Sequence, residues 1–251
     1  MSDMVQSTLI DNSILSHGKF GYPISIALPN WGNRLALIQA KPALPPDQHW
    51  LRTQIEALPT IARLAREKTL ALHSYFELEM EEWRGGNFPA LILGDVFSNV
   101  EIARVSAPLD RSFFQTDMKD FVGADAQIQF CQFLLNDSSK ILKAPKILAR
   151  LTASQISNLK EAKRYREICR SLSPKQYVDA LHVWTGELNG IETFLTTDAT
   201  LVRALSSNKK LLLRCKPIFP EALLVEMGIA NREPLPFEYG RRYSLNGLPH
   251  E

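Results

Sequence analysis

The stretch Thr193-Phe194-Leu195-Thr196-Thr197-Asp198 carries the reading of the fold. Its β-branched and aromatic residues suit a short strand, and an aspartate directly after a strand can open a helix as its cap. Just upstream, Ser173-Pro174 is a helix start, with serine as cap and proline at the first helical position. That helix is expected to run to about Leu188 and to stop at Gly190. At the other end of the chain, Ser7-Thr8-Leu9-Ile10 reads as another apolar strand, and it too ends in an aspartate, Asp11.

Between these ends, Ile55, Leu58, Ile61, Ala62 and Ala65 recur at helical spacing and predict a helix from about Trp50 to Lys68. Thr69 to His73 is β-like, and Ser74 to Arg84 has helical composition and meets Gly85-Gly86. The Pro- and Gly-bearing stretch from Gly18 to Asp47 reads as irregular, with one apolar segment at Leu35 to Ile38. Ala90 to Val96 and Val100 to Val105 suggest a hairpin turning at Ser98-Asn99. Helices are expected from about Gly123 to Leu135 and Ala153 to Arg170, then a strand near Leu211 to Cys215 and a helix from Pro220 to Met227. The Pro-, Gly- and charge-rich tail, 231–251, is expected on the surface. Strands alternating with helices argue for an α/β domain with a central, mainly parallel sheet. Sites in such sheets form beyond the carboxyl ends of the strands, where Asp11 and Asp198 both fall.

The chain has 251 residues, 45% hydrophobic and 22% charged, which is ordinary globular composition with enough apolar material for a core. No run approaches the ~18 apolar residues of a membrane helix, and Met1 to Ser13 shows no signal-peptide pattern. Cys131, Cys169 and Cys215 are odd in number and far apart, which suits a reducing cytoplasm better than a disulfide framework. A P-loop and a GxGxxG cradle are both missing, which disfavours nucleotide-binding enzymes of those types.

The segment Asp179-Ala180-Leu181-His182, followed by Gly190 and the Thr196-Thr197-Asp198 turn, resembles the PIN-domain family of nucleases. Asp11-Asn12-Ser13 after the first strand resembles the family's opening, and Ser74 to Glu81 its strand leading into a helix with an early glutamate. These pieces cover about half of the chain in the family's order. The resemblance implies a three-layer α/β/α PIN-like fold over 1–230, with an inserted hairpin and helical region at about 85–172. It also implies metal-dependent hydrolysis of a phosphodiester, foremost in single-stranded RNA, by carboxylates that hold Mg²⁺ or Mn²⁺. Asp11, Glu77, Asp179 and Asp198 are the catalytic set that it implies, with Glu79 as the alternative glutamate. Ser13 and Thr197 would orient them through their hydroxyls.

Chemistry supports that assignment: clustered carboxylates disfavour one another's ionisation unless a cation joins them, and hard divalent ions take oxygen ligands. Each residue also has a plainer reading. Asp11 and Asp198 could be helix caps, and Glu77 and Glu79 part of a solvated acidic face. Asp179 lies on a helix whose other face is apolar, and His182 reads either as a phosphate contact or as a hydrogen-bonded core histidine.

Lys160, Lys163, Arg164, Arg170 and Lys175 lead into the Asp179 helix and are candidate nucleic-acid contacts. Phe20, Tyr22, Trp31 and Tyr165 are candidate stacking aromatics. The resemblance further implies a toxin of a toxin–antitoxin pair, with an antitoxin protein as partner. The insertion leaves substrate, a partner or a second copy of the chain (a homodimer) as its alternatives. Competing functions are a structure-specific DNA nuclease with the same site, and a PIN-like module that binds RNA or protein without cutting.

Overall fold

The computed structural model describes residues 6–27, 34–84, 95–114, 123–244 and 249–250. It is an α/β protein built on a parallel five-stranded sheet: β1 (Gln6–Ile10), β4 (Leu70–Ser74), β5 (Ile102–Arg104), β6 (Thr193–Leu195) and β7 (Lys216–Ile218). The spatial order is β5-β4-β1-β6-β7, every pair parallel. The chain therefore builds outward from β1 on one side, then returns to β1's other side to add β6 and β7. The order reverses between β1 and β6, and such a switch point opens a crevice beyond the carboxyl ends of the two strands.

Helices cover both faces, making three layers. Side chains of adjacent strand residues point to opposite faces. Leu9 and its register partner Phe194 accordingly join Ala180, Leu181 and Trp184 of one core, whereas Ile10 and its partner Leu195 join Leu58, Ile61 and Leu223 of the other. Being covered on both sides, β1 and β6 are buried without alternation (Thr8, Leu9, Ile10; Thr193, Phe194, Leu195).

α1 (Asn12–Gly18) follows β1 directly. The single helix expected from Trp50 to Lys68 is two, α2 (His49–Glu56) and α3 (Leu58–Arg66). Pro59 lacks the N–H that a continuous helix would need, and its ring crowds the preceding turn. α4 (Phe76–Arg84) follows β4. The helical region comprises α5 (Ala124–Ile141), α6 (Pro145–Leu148), α7 (Ala153–Lys160) and α8 (Ala162–Cys169), so the helix expected over Ala153–Arg170 is broken at Glu161. After a capping box at Ser173, α9 (Tyr177–Leu188) runs to a turn completed by Gly190 at φ +67°, a backbone state that glycine adopts freely. α10 (Ala199–Ser207) follows β6, and α11 (Pro220–Glu226) follows β7.

Several expectations need correction. The Gly18–Asp47 stretch is not irregular: β2 (Gly21–Ala27) and β3 (Arg34–Ala40) pair antiparallel within it. The tail is mostly exposed, as expected, but β8 (Arg242–Ser244) pairs with β3 and buries Tyr243, and β9 (Pro249–His250) completes this second sheet. The Val100–Val105 run holds β5, which pairs parallel with β4 and belongs to the main sheet rather than to a hairpin. Most of the other expected hairpin strand lies outside the described residues. The strand expected at Leu211–Cys215 falls instead at Lys216–Ile218. Among the described residues no helix is long and apolar enough to cross a membrane.

Candidate functional site

Asp11 leaves the end of β1 beside the end of β6, and its N–H bonds to the Leu195 carbonyl at 3.0 Å. The two aspartates at the strand ends differ in their capping. Asp198 is a cap: its Oδ1 accepts from the N–H groups of Thr200 (2.7 Å) and Leu201 (2.9 Å). Asp11 makes no capping bond. Its Oδ2 accepts from the hydroxyls of Ser13 and Thr196, each at 2.6 Å. Those hydroxyls also accept in turn, Thr196 from the Asp198 N–H (3.0 Å) and Ser13 from the Thr197 N–H (3.2 Å). Two hydroxyls thus lock Asp11 to the turn that carries Asp198. Ser13 makes a hydroxyl bond to Asp11 of the kind expected of it. The second orienting hydroxyl is Thr196 rather than Thr197, because Thr196 continues β6 one residue beyond the Ile10–Leu195 register pair and so lies level with Asp11. One oxygen of each aspartate, Oδ1 of Asp11 and Oδ2 of Asp198, makes no hydrogen bond among the described residues.

Asp179, in the first turn of α9, makes no side-chain hydrogen bond there either. Burial pushes its pKa up to about 7, and the charges of Asp11, Asp198 and Glu81 add to the rise while His182 opposes it. A helix N-terminus favours a carboxylate only modestly, and here burial outweighs it. Asp11 and Asp198, delivered by the ends of β1 and β6, therefore act on Asp179 of α9 across the crevice.

The fourth acid differs from expectation. Glu77 is buried, but Arg111 grips it: Nε lies 3.1 and 3.2 Å from its two carboxylate oxygens, and Nη2 3.0 Å from Oε2. Such a pair neutralises Glu77 within the fold. Glu79 points outward to exposed Arg104 at 3.2 Å. Glu81, one turn beyond Glu77 on the same helix face, is the glutamate whose charge reaches Asp179. Its Oε1 accepts from Gln127 Nε2 at 3.0 Å and lies 3.2 Å from His182 Nε2. Although burial would raise the Glu81 pKa, His182, Arg84 and Gln127 hold it below the usual value. The i,i+4 relation of Glu77 and Glu81 was the available signal, but nothing in the sequence showed that Arg111 would claim the first.

His182 is a core histidine, fully buried, with Nδ1 2.7 Å from the Tyr75 hydroxyl. Burial lowers its pKa, but Glu81, Asp179 and Asp11 together more than reverse that, so the net shift is upward.

Of the candidate nucleic-acid contacts, Lys160, Lys163, Arg170 and Lys175 are exposed. Arg164 is already committed: Nε and Nη2 each lie 2.7 Å from the buried Glu187 carboxylate, and Nη2 also donates to the Leu212 carbonyl. Among the stacking candidates, Phe20 and Tyr165 are buried, Tyr22 is half exposed, and Trp31 lies outside the described residues.

Among the described residues no three His, Cys, Asp or Glu side chains stand close enough to chelate one ion. The donors still fit a hard divalent cation that keeps several of its own waters and takes only one or two carboxylates directly. Asp11 and Asp198 each have one oxygen anchored and leave the other unbonded, and Asp179 carries a charge that burial opposes. No protein-family model matches this chain, and neither a curated protein nor a solved structure does.

Proposed function

We propose that this chain is a metal-dependent phosphodiester hydrolase of the PIN type, cutting single-stranded RNA. One observation carries the reading: at the sheet's switch point the charges of Asp11, Asp198 and Glu81, from three other elements, all reach Asp179, and with burial they raise its pKa to about 7. A fold gains nothing from such a concentration of charge, which destabilises it unless a cation enters. A Mg²⁺ or Mn²⁺ ion bound there would neutralise charge on the phosphate and lower the pKa of a bound water.

The chain's own groups would divide the work. Asp11, Asp198 and Asp179 would supply the free oxygens, with Glu81 as the fourth. Ser13 and Thr196 would fix Asp11 so that little reorganisation accompanies binding. Exposed Lys160, Lys163, Arg170 and Lys175, which precede or border α9, would draw the phosphate backbone towards the crevice.

The test is cleavage of labelled single-stranded RNA and DNA of matched sequence, with Mn²⁺, Mg²⁺ or chelator, by wild type and Asp11→Asn. Cutting of RNA that needs metal and is lost in the variant is the expected result. Preference for DNA would move the substrate class. Folded protein that binds RNA but cuts under no condition would move the chain to the binding-module reading.

A further inference from the structure

Glu81 differs from the three aspartates in how it is held. Aspartates are short, and Asp11 and Asp198 are anchored at the strand ends by hydroxyls and backbone N–H groups. Glu81 sits in mid-helix with one more rotatable bond, and a longer side chain loses more freedom when fixed. What faces it is a rigid imidazole. His182 is fully buried, its ring lies 5.6 Å from Tyr75 and 5.7 Å from Phe194 between centroids, and its Nδ1 is engaged by the Tyr75 hydroxyl. In a neutral ring whose Nδ1 accepts from Tyr75 the proton resides on Nε2, and in a protonated ring Nδ1 donates to Tyr75 instead; in both, Nε2–H faces Glu81. Nε2 is buried and makes no aligned hydrogen bond among the described residues; its 3.2 Å approach to the Glu81 carboxylate is the one ion-pair contact it has there.

Resting on the metal-site reading above, we propose that Tyr75 and His182 form a positioning pair that aims the Glu81 carboxylate into the crevice. His182 touches no substrate in this scheme. It acts through Glu81, with Tyr75 fixing the ring's orientation. The duller alternative is that His182 merely fills the core between α4, α9 and β6. The two differ in one respect: a positioning residue loses its influence on metal once Glu81 is gone, whereas a packing residue does not.

The experiment is calorimetric titration of the full chain with MnCl₂ for wild type, His182→Gln, Glu81→Gln and the double variant, each checked for folding by its thermal melt. His182→Gln and Glu81→Gln should each weaken Mn²⁺ binding by about 10–100-fold, and the double variant should match Glu81→Gln within about twofold. Wild-type affinity in His182→Gln, or a double loss equal to the product of the single ones, would overturn the inference. If His182→Gln does not fold, Tyr75→Phe removes only the hydroxyl and keeps the ring. It should weaken binding in the same direction, and only when Glu81 is present; unchanged affinity there would overturn the inference equally. A wild type that binds no Mn²⁺ would overturn the metal site itself and this inference with it, whereas additive losses in a protein that binds Mn²⁺ would remove this inference alone.

Discussion

Replacing Asp179 by asparagine removes a charge that burial and three neighbouring acids oppose, and it should stabilise the metal-free protein above neutral pH. Burial and the nearby carboxylates raise the Asp179 pKa from 3.8 to about 7. The sign follows from proton counting. Between about pH 4 and 7 the folded state holds a proton that the unfolded chain has released, so stability falls as pH rises through that window. A shift of roughly 3 units corresponds to about 4 kcal/mol once pH exceeds 7. Asp179 is only partly buried by area, so solvent screening brings a realistic figure to about 2 kcal/mol. For a chain of this size that is a gain of roughly 4–8 °C in melting temperature. The assay is urea and thermal denaturation of wild type and Asp179→Asn at about pH 4.5 and 8.5 in chelator, repeated with Mn²⁺. The variant should match wild type at the acid pH and exceed it at the alkaline pH, with the gap closing when metal is added. A variant that is less stable at alkaline pH, or equally offset at both, would refute the reasoning that Asp179 is held against an opposing field.

Thr196→Val keeps the shape of a buried residue but removes the hydroxyl between Asp11 and the Asp198 N–H. It should cost about 1–3 kcal/mol and weaken Mn²⁺ binding about 10–100-fold; a titration at wild-type affinity would count against the locked-carboxylate geometry. Glu81→Gln should lose metal-dependent cleavage with the fold intact. Glu77→Gln should instead remove the carboxylate charge that buried Arg111 holds and lower stability by about 3–5 kcal/mol while its folded fraction still cuts; the opposite pattern would restore Glu77 to the site. Arg164→Ala should likewise destabilise, by about 1–3 kcal/mol, because buried Glu187 keeps, among the described residues, only the Arg214 N–H at 2.9 Å and the Arg214 guanidinium at 3.7 Å, without weakening RNA binding per folded molecule. Alanine at Lys160, Lys163, Arg170 and Lys175 should reduce the salt dependence of RNA binding by about 0.7 in log–log slope for each phosphate that is no longer neutralised, and an unchanged slope would place the RNA path elsewhere.

Local sequence sufficed for the fold class and named most of the residues of the proposed site. Apolar runs ending in Asp11 and Asp198, separated by amphipathic helices, read as a mainly parallel α/β sheet because hydrophobic periodicity and capping chemistry are local properties of the chain. The same local rules found Ser13 and put Asp179 on a half-apolar helix. Which acids and cations share a partner was settled by packing between distant segments. Glu77, Glu79 and Glu81 look alike in one helical segment; Arg111, Arg104 and His182, remote in sequence, sort them into a buried ion pair, a surface pair and the partner of a buried histidine. Arg164 looked like its basic neighbours until Glu187 packed against it. Thr196 displaced Thr197 because strand register, fixed by pairing between opposite ends of the chain, set which hydroxyl stands level with Asp11. The second sheet was illegible for the same reason: one neighbour of β3 is a strand from the far end of the chain, and no local pattern encodes a partner that remote.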